Sequence, residues 1–138
     1  MIIAIDFDGT VVENAYPKIG KSVGAEEVLK KLVDRGHKLI LFTLRNDLTE
    51  EMLSYGYPNH LEPGDYLTQA LQWFERRNIP LWGVNKNPLY DGVGVSPKPY
   101  YDLSIDDRNI GTPLIYTKGE PYVDWKMMSV LLKRKGLI

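Results

Sequence analysis

Asp6-Phe7-Asp8-Gly9-Thr10 carries two carboxylates two residues apart. In an extended chain that spacing points both the same way, and Gly9 then permits a turn. Carboxylates so placed can share one cation. A hard ion such as magnesium takes oxygen ligands and keeps several waters, so two or three carboxylate or carbonyl groups beside a substrate phosphate suffice. Asp106 and Asp107, a second acidic pair far downstream, supply the missing oxygens. An isolated Asp-x-Asp is more commonly a solvated turn or a helix cap. Here it terminates a buried-type apolar run, and that placement favours a site. Thr43 alone reads as a strand-end or capping hydroxyl, and Lys98 as a loop lysine stiffened by Pro97 and Pro99. Taken together, a hydroxyl, an ammonium and a metal ion around three equatorial oxygens are what phosphoryl transfer requires, because that chemistry is mostly positioning and charge stabilisation.

These side chains need a scaffold that delivers them to one place. Ile2 to Ile5 is β-branched without polar alternation, as in a strand buried on both faces of a parallel sheet. Val28, Leu29 and Leu32 recur at helical spacing within Gly24–Arg35, with acids early, lysines late and Gly36 as terminator. Lys38 to Phe42 is a second strand that delivers Thr43. Leu67, Ala70, Leu71 and Phe74 predict a helix over Gly64–Asn78, followed by strands at Leu81–Val84 and Asp102–Ile105. Pro113–Tyr116 supplies a fifth strand and Val123–Lys135 a closing amphipathic helix. Val11–Val23 and Asn85–Tyr101 read as ordered loops. Alternating strands and helices predict an α/β fold, an open, doubly wound parallel sheet in three layers. Ligands of such sheets bind outside the carboxyl ends of the strands, where Asp6, Thr43, Asp106 and Asp107 would converge.

The 138 residues, 43% of them hydrophobic, predict one domain over 1–138. A formal charge of -1 gives no overall field for nucleic acid or an anionic membrane. With no cysteine there is neither a disulfide framework nor a thiolate metal site, which suits a reducing cytoplasm. The apolar start, Met1 to Ile5, is far shorter than a signal-peptide core or a membrane span, so a soluble protein is expected.

Four segments, in order, resemble motifs of the haloacid dehalogenase superfamily of phosphohydrolases. The strand ending in Asp6-Phe7-Asp8-Gly9-Thr10-Val11 is similar to the first motif, Phe42-Thr43 to the second, Lys98 to the third and Ile105-Asp106-Asp107 to the fourth. Lys98-Pro99-Tyr100, leading through Ser104 to Asn109 and on to Gly111-Thr112-Pro113, resembles the compact, capless members. The resemblance implies a Rossmann-like sheet without a separate cap domain and a magnesium-dependent phosphatase acting on a phosphate monoester. Asp6 would attack phosphorus, forming an aspartyl-phosphate, while its other oxygen binds magnesium. Asp8 would protonate the leaving oxygen and then activate water, with its backbone carbonyl also on the metal. Asp106 would ligate magnesium, Asp107 would assist directly or through water, and Thr43 and Lys98 would hold the phosphate. Lys86 competes with Lys98 for that last role, and Arg45 and Arg108 are candidate substrate contacts, with surface ion pairing as their alternative. Without a cap the substrate could be a polymer end, a protein or a small molecule held by partner subunits, so an oligomer is compatible with the sequence.

Other features carry less. Gly20-Lys21-Ser22 resembles the end of a P-loop, but Ala15 stands where a glycine is required. His37 and His60 read as a helix-end and a surface histidine. Among Trp73, Trp82 and Trp125, Trp82 is expected nearest the site, because its strand leads into the Asn85 loop. A phospho-acceptor signalling module would also place acids, a hydroxyl and a lysine at strand ends. It expects an acceptor aspartate after the third strand, where Val84-Asn85 stands instead. A catalytically silent phosphate-binding protein of the same fold is the third alternative.

Overall fold

The computed structural model describes residues 1–56, 61–90, 92, 94 and 96–138, so His60 lies outside the described residues, as do three positions of the Asn85–Tyr101 loop. In chain order the elements are β1 (Ile2–Ile5), α1 (Glu26–Asp34), β2 (Lys38–Leu41), β3 (Asp47–Leu48), α2 (Glu50–Ser54), β4 (Gly64–Asp65) and α3 (Tyr66–Glu75). There follow β5 (Gly83–Val84), a 3-10 turn at Pro88–Tyr90, β6 (Leu103–Ile105), β7 (Leu114–Ile115), β8 (Tyr122–Val123) and α4 (Trp125–Arg134).

Four strands form a parallel sheet in the order β5-β2-β1-β6, flanked by helices. The expected α/β class is therefore present. β1 sits between β2 and β6, with Ile5 level with Leu41 on one side and Ile105 on the other. From β1 the chain steps outward through β2 to β5 and then returns to the opposite side for β6. The order reverses beside β1, and a crevice opens at such a switch point.

Strand side chains alternate between faces. Ile3, Ile5, Leu39, Leu41 and Ile105 enter one buried cluster with Val28, Leu29 and Leu32 of α1, Trp73 and Phe74 of α3, and Met128 and Leu132 of α4. Ala4 and Ile40 occupy the alternate positions and are buried as well. α1 stops as its sequence predicts. Gly36 takes φ +80°, its N–H reaches the Val33 carbonyl, and the His37 N–H reaches that of Leu32. α4 begins at Asp124, whose Oδ1 accepts from the N–H groups of Lys126 and Met127.

Two expectations change, and the stretch between Thr43 and Gly64 gains elements of its own. Leu114–Ile115 does not extend the parallel sheet but pairs antiparallel with Tyr122–Val123, since the short connection between them suits a hairpin and not a crossover. Between β2 and α3 the chain inserts β3, α2 and β4, with β3 and β4 pairing antiparallel. The N-terminal N–H groups of α3 are capped from that insertion. Asp47 Oδ1 accepts from Leu67 and Thr68 N–H, and its Oδ2 from the Thr68 hydroxyl, which hold its carboxyl below the usual range despite some burial. Finally, Trp82 lies under the Lys38 ammonium, 4.3 Å from its ring centroid, and it is Trp125 that reaches the loop after β1. Among the described residues, no helix is long and apolar enough to cross a membrane.

Candidate functional site

β1 and β6 end side by side, and the Asp6 N–H continues their ladder by donating to the Ile105 carbonyl at 3.0 Å. Parallel register thus sets Asp6 and Asp106 at neighbouring strand ends. After Asp6 the chain folds tightly, because the N–H groups of Thr10, Val11 and Val12 all converge on the Phe7 carbonyl. Gly9 makes this turn possible with φ +77°. A Cβ there would sit 2.7 Å from Asp107 Oδ2, so the position admits only hydrogen if Asp107 is to stay in place.

Thr10, fully buried, knits the two acidic segments together. Its hydroxyl donates to Asp6 Oδ2 and accepts from the Asp107 N–H, both at 3.1 Å. As a result, carboxylate oxygens of Asp6, Asp106 and Asp107 lie within 4.8 Å of one another, the group among the described residues that could hold a metal ion. Burial, reinforced by the two neighbouring acids, raises the Asp6 carboxyl to about 7. Burial and the Asp106 charge raise Asp107 as well. Crowded hard oxygen donors that resist carrying negative charge together fit a small divalent cation, which removes their repulsion.

The Asp8 side chain is not in this cluster. Both of its oxygens accept from Arg45, Oδ2 from Nε and Oδ1 from Nη2, each at 2.7 Å. Arg45 is 2% exposed. Its Nη1 donates to the carbonyls of Pro17 and Tyr66 and its Nη2 also to that of Lys18, so all the guanidinium N–H groups are engaged. The Phe7 and Tyr16 rings stand 5.1 Å away. The expectation that Arg45 contacts substrate or pairs at the surface is therefore corrected. It is a buried fork with no donor left for a ligand, and it orients Asp8.

Thr43 follows β2 and is half-buried, its N–H donating to Asn85 Oδ1 at 2.8 Å and its Oγ1 accepting from the Arg45 N–H. Asn85 reaches it from φ +52°, a left-handed conformation that asparagine tolerates. An open cavity of about 690 Å³ covers the strand ends, with Asp6, Asp8, Thr43, Asp106, Arg45 and Arg108 among its lining. Arg108 is exposed there.

Lys98 is not brought to this group. It is exposed in its loop, where its backbone N–H meets Ser96 Oγ, and neither it nor Lys86 lines the cavity. The Pro97–Pro99 segment carries Lys98 along the surface. Gly20-Lys21-Ser22 is no phosphate cradle either. A Cβ at Gly20 would run into the Glu13 carbonyl, the Lys21 carbonyl accepts from Glu13 N–H, and Ser22 Oγ is taken by Trp73 and Arg77. His37 bridges the Met1 amine and the Leu137 carbonyl, far in kind from a metal ligand.

Two contributors escaped sequence reasoning. Thr10 lies within the first acidic segment, yet nothing local marks it as the link to Asp107. Trp125 donates from Nε1 to the Thr10 carbonyl at 2.7 Å, and Val123 N–H to the Gly9 carbonyl. Both contacts span almost the whole chain.

No protein-family model matches the chain, and no curated protein matches it. Among solved structures, the conserved protein coded by a locus of Bacteroides thetaiotaomicron is similar, with 34% sequence identity and a TM-score of 0.71 over 98% of this chain and 91% of that one.

Proposed function

The chain belongs to the same family as the conserved Bacteroides thetaiotaomicron protein, and from the geometry of its own acidic site we propose that it is a magnesium-dependent phosphohydrolase of the haloacid dehalogenase type. The observation that carries this reading is the meeting of Asp6, Asp106 and Asp107 within 4.8 Å at the carboxyl ends of adjacent parallel strands. A magnesium ion held there would supply charge neutralisation for the transferring phosphoryl group. Asp6, Asp106 and Asp107 would hold the ion, with the Asp8 backbone carbonyl as a further oxygen.

Asp6 is the nucleophile. One of its oxygens attacks phosphorus as the ester oxygen departs, giving an aspartyl-phosphate, and water then releases inorganic phosphate from it. Asp8 serves that second step by taking a proton from the attacking water. Each Asp8 oxygen accepts one bond from Arg45 and keeps a second lone pair, which can carry the proton given to the departing ester oxygen in the first step. Arg45 fixes where the Asp8 carboxylate points. Thr43 offers its hydroxyl to the phosphate, and Arg108 is the cation at the rim that can approach it. In this reading Arg108 takes over part of what was expected of Lys98.

Burial of Ala4 and Ile40 on the alternate sheet positions supports a doubly wound, three-layer arrangement. A cysteine-free chain of this kind suits the cytoplasm.

The test is release of inorganic phosphate from a broad panel of phosphate monoesters, with magnesium and then with a chelator. Turnover that needs magnesium and is lost in Asp6→Asn supports the proposal. A stable phosphoprotein without turnover would point instead to a phospho-acceptor module.

A further inference from the structure

The cavity over the strand ends is many times larger than a phosphate group, and at about 690 Å³ it falls in the range that encloses small organic molecules. Its floor is acidic, but its mouth is not. Leu44 stands 91% exposed, with Tyr16 at 39% and Phe42 at 37%, and Leu48 and Leu61 also line the cavity. Leaving a leucine side chain almost wholly in water beside a polar site has no folding benefit, because apolar surface gains free energy only when something covers it.

Each of the two rings is braced by a neighbouring aromatic side chain. Phe42 packs against Tyr101 with centroids 6.1 Å apart, and Tyr16 against Tyr66 at 5.8 Å, with the Arg45 guanidinium on its face. Held rings with free surface suit a planar partner, for which aromatic contact adds to simple burial. Asn14 and Asn46, both exposed on the same lining, offer neutral amide donors and acceptors that could meet polar atoms at a ring edge.

We infer that the apolar mouth formed by Tyr16, Phe42 and Leu44 is a leaving-group subsite, and that the preferred substrate is a small phosphate monoester whose alcohol carries an aromatic ring. This rests on the phosphohydrolase reading for the position of the phosphate, but its recognition element is separate from the acids. An aryl ring and a nucleobase share the required chemistry. Phosphate would lie over Asp6 while the ring covers Phe42 and Leu44.

Binding of non-hydrolysable phosphonates tests the subsite without any need for turnover. With magnesium present, 2-phenylethylphosphonate and a nucleoside phosphonate are compared with ethylphosphonate by calorimetry. The ring-bearing probe should bind about tenfold tighter or better, the sum of ring burial and aromatic contact. Whichever ring binds tighter identifies the ring class. Phe42→Ala and Leu44→Ser should each reduce that preference about three- to tenfold while leaving ethylphosphonate affinity unchanged. Leu44→Ser removes a side chain that already lies in water, so it reads out recognition even if Phe42→Ala fails to fold. Equal affinity for all three probes, or equal loss for ring-bearing and ring-free probes in Leu44→Ser, overturns the inference, even with phosphatase activity established. Ring preference with no ester hydrolysed would defeat the phosphohydrolase reading and leave the subsite standing.

Discussion

Replacing Asp6 by Asn should make the metal-free protein more stable at neutral pH, although it removes the proposed nucleophile. Burial and two adjacent acids raise the Asp6 carboxyl from the ordinary 3.8 to about 7. The folded chain therefore keeps a proton that the unfolded chain has already released between those values, and stability falls as pH rises through this window. At about 1.4 kcal/mol for each pH unit, a rise of about three units sets a ceiling of about 4 kcal/mol above pH 7. Asparagine has the shape of the neutral acid and never ionises. The gap between variant and wild type should thus be small near pH 4, open progressively, and level off above pH 7. Urea unfolding in chelator at pH 4, 5, 6, 7 and 8 measures it directly. An Asp6→Asn protein no more stable than wild type at pH 8, or a gap that does not change with pH, would refute the claim that crowded, buried carboxylates create the site.

Other expectations follow from the same geometry. Magnesium should stabilise the wild type at pH 8 by about 2.7 kcal/mol at a hundredfold excess over its dissociation constant, and stabilise Asp6→Asn and Asp106→Asn far less, as thermal melts would show. Arg45→Lys keeps the charge but not the fork. It should lower phosphate release about tenfold or more and cost about 3 kcal/mol in denaturant unfolding, with unchanged stability as the refuting result. In Gly9→Ala, the new Cβ meets Asp107 Oδ2 and the residue must hold φ +77°. That variant should lose magnesium affinity in calorimetry by at least about tenfold. Trp125→Phe leaves the Thr10 carbonyl without its donor and should cost about 1–3 kcal/mol, read by urea unfolding.

Much of the scaffold was legible because its signals are local. The buried strands appear as apolar runs, β1 from Ile2 and β2 from Lys38, and α1 ends at the glycine its pattern implies. The acids were legible because they terminate such runs, and parallel register then had to set Asp6 beside Asp106. What was not legible depends on partners distant in sequence. Arg45 looks like a surface cation until Asp8, Pro17, Lys18 and Tyr66 surround it. The insertion from Asp47 to Asp65 contains a five-residue helix, too short for periodicity to register. Pro113–Tyr116 had the composition of a core strand, and only the nearby Tyr122–Val123 segment decides that it forms a hairpin. Lys98 was assigned by order along the chain, which does not fix where a proline-bounded loop carries a side chain.

The indole contact from Trp125 to the Thr10 carbonyl joins residues 115 positions apart. During synthesis the acidic turn is made well over a hundred residues ahead of the helix that latches it, 115 positions separating Thr10 from Trp125. A chain that has not yet formed α4 can thus own every acid of the cluster and still leave the turn unsupported. The turn would gain that support only when α4 docks.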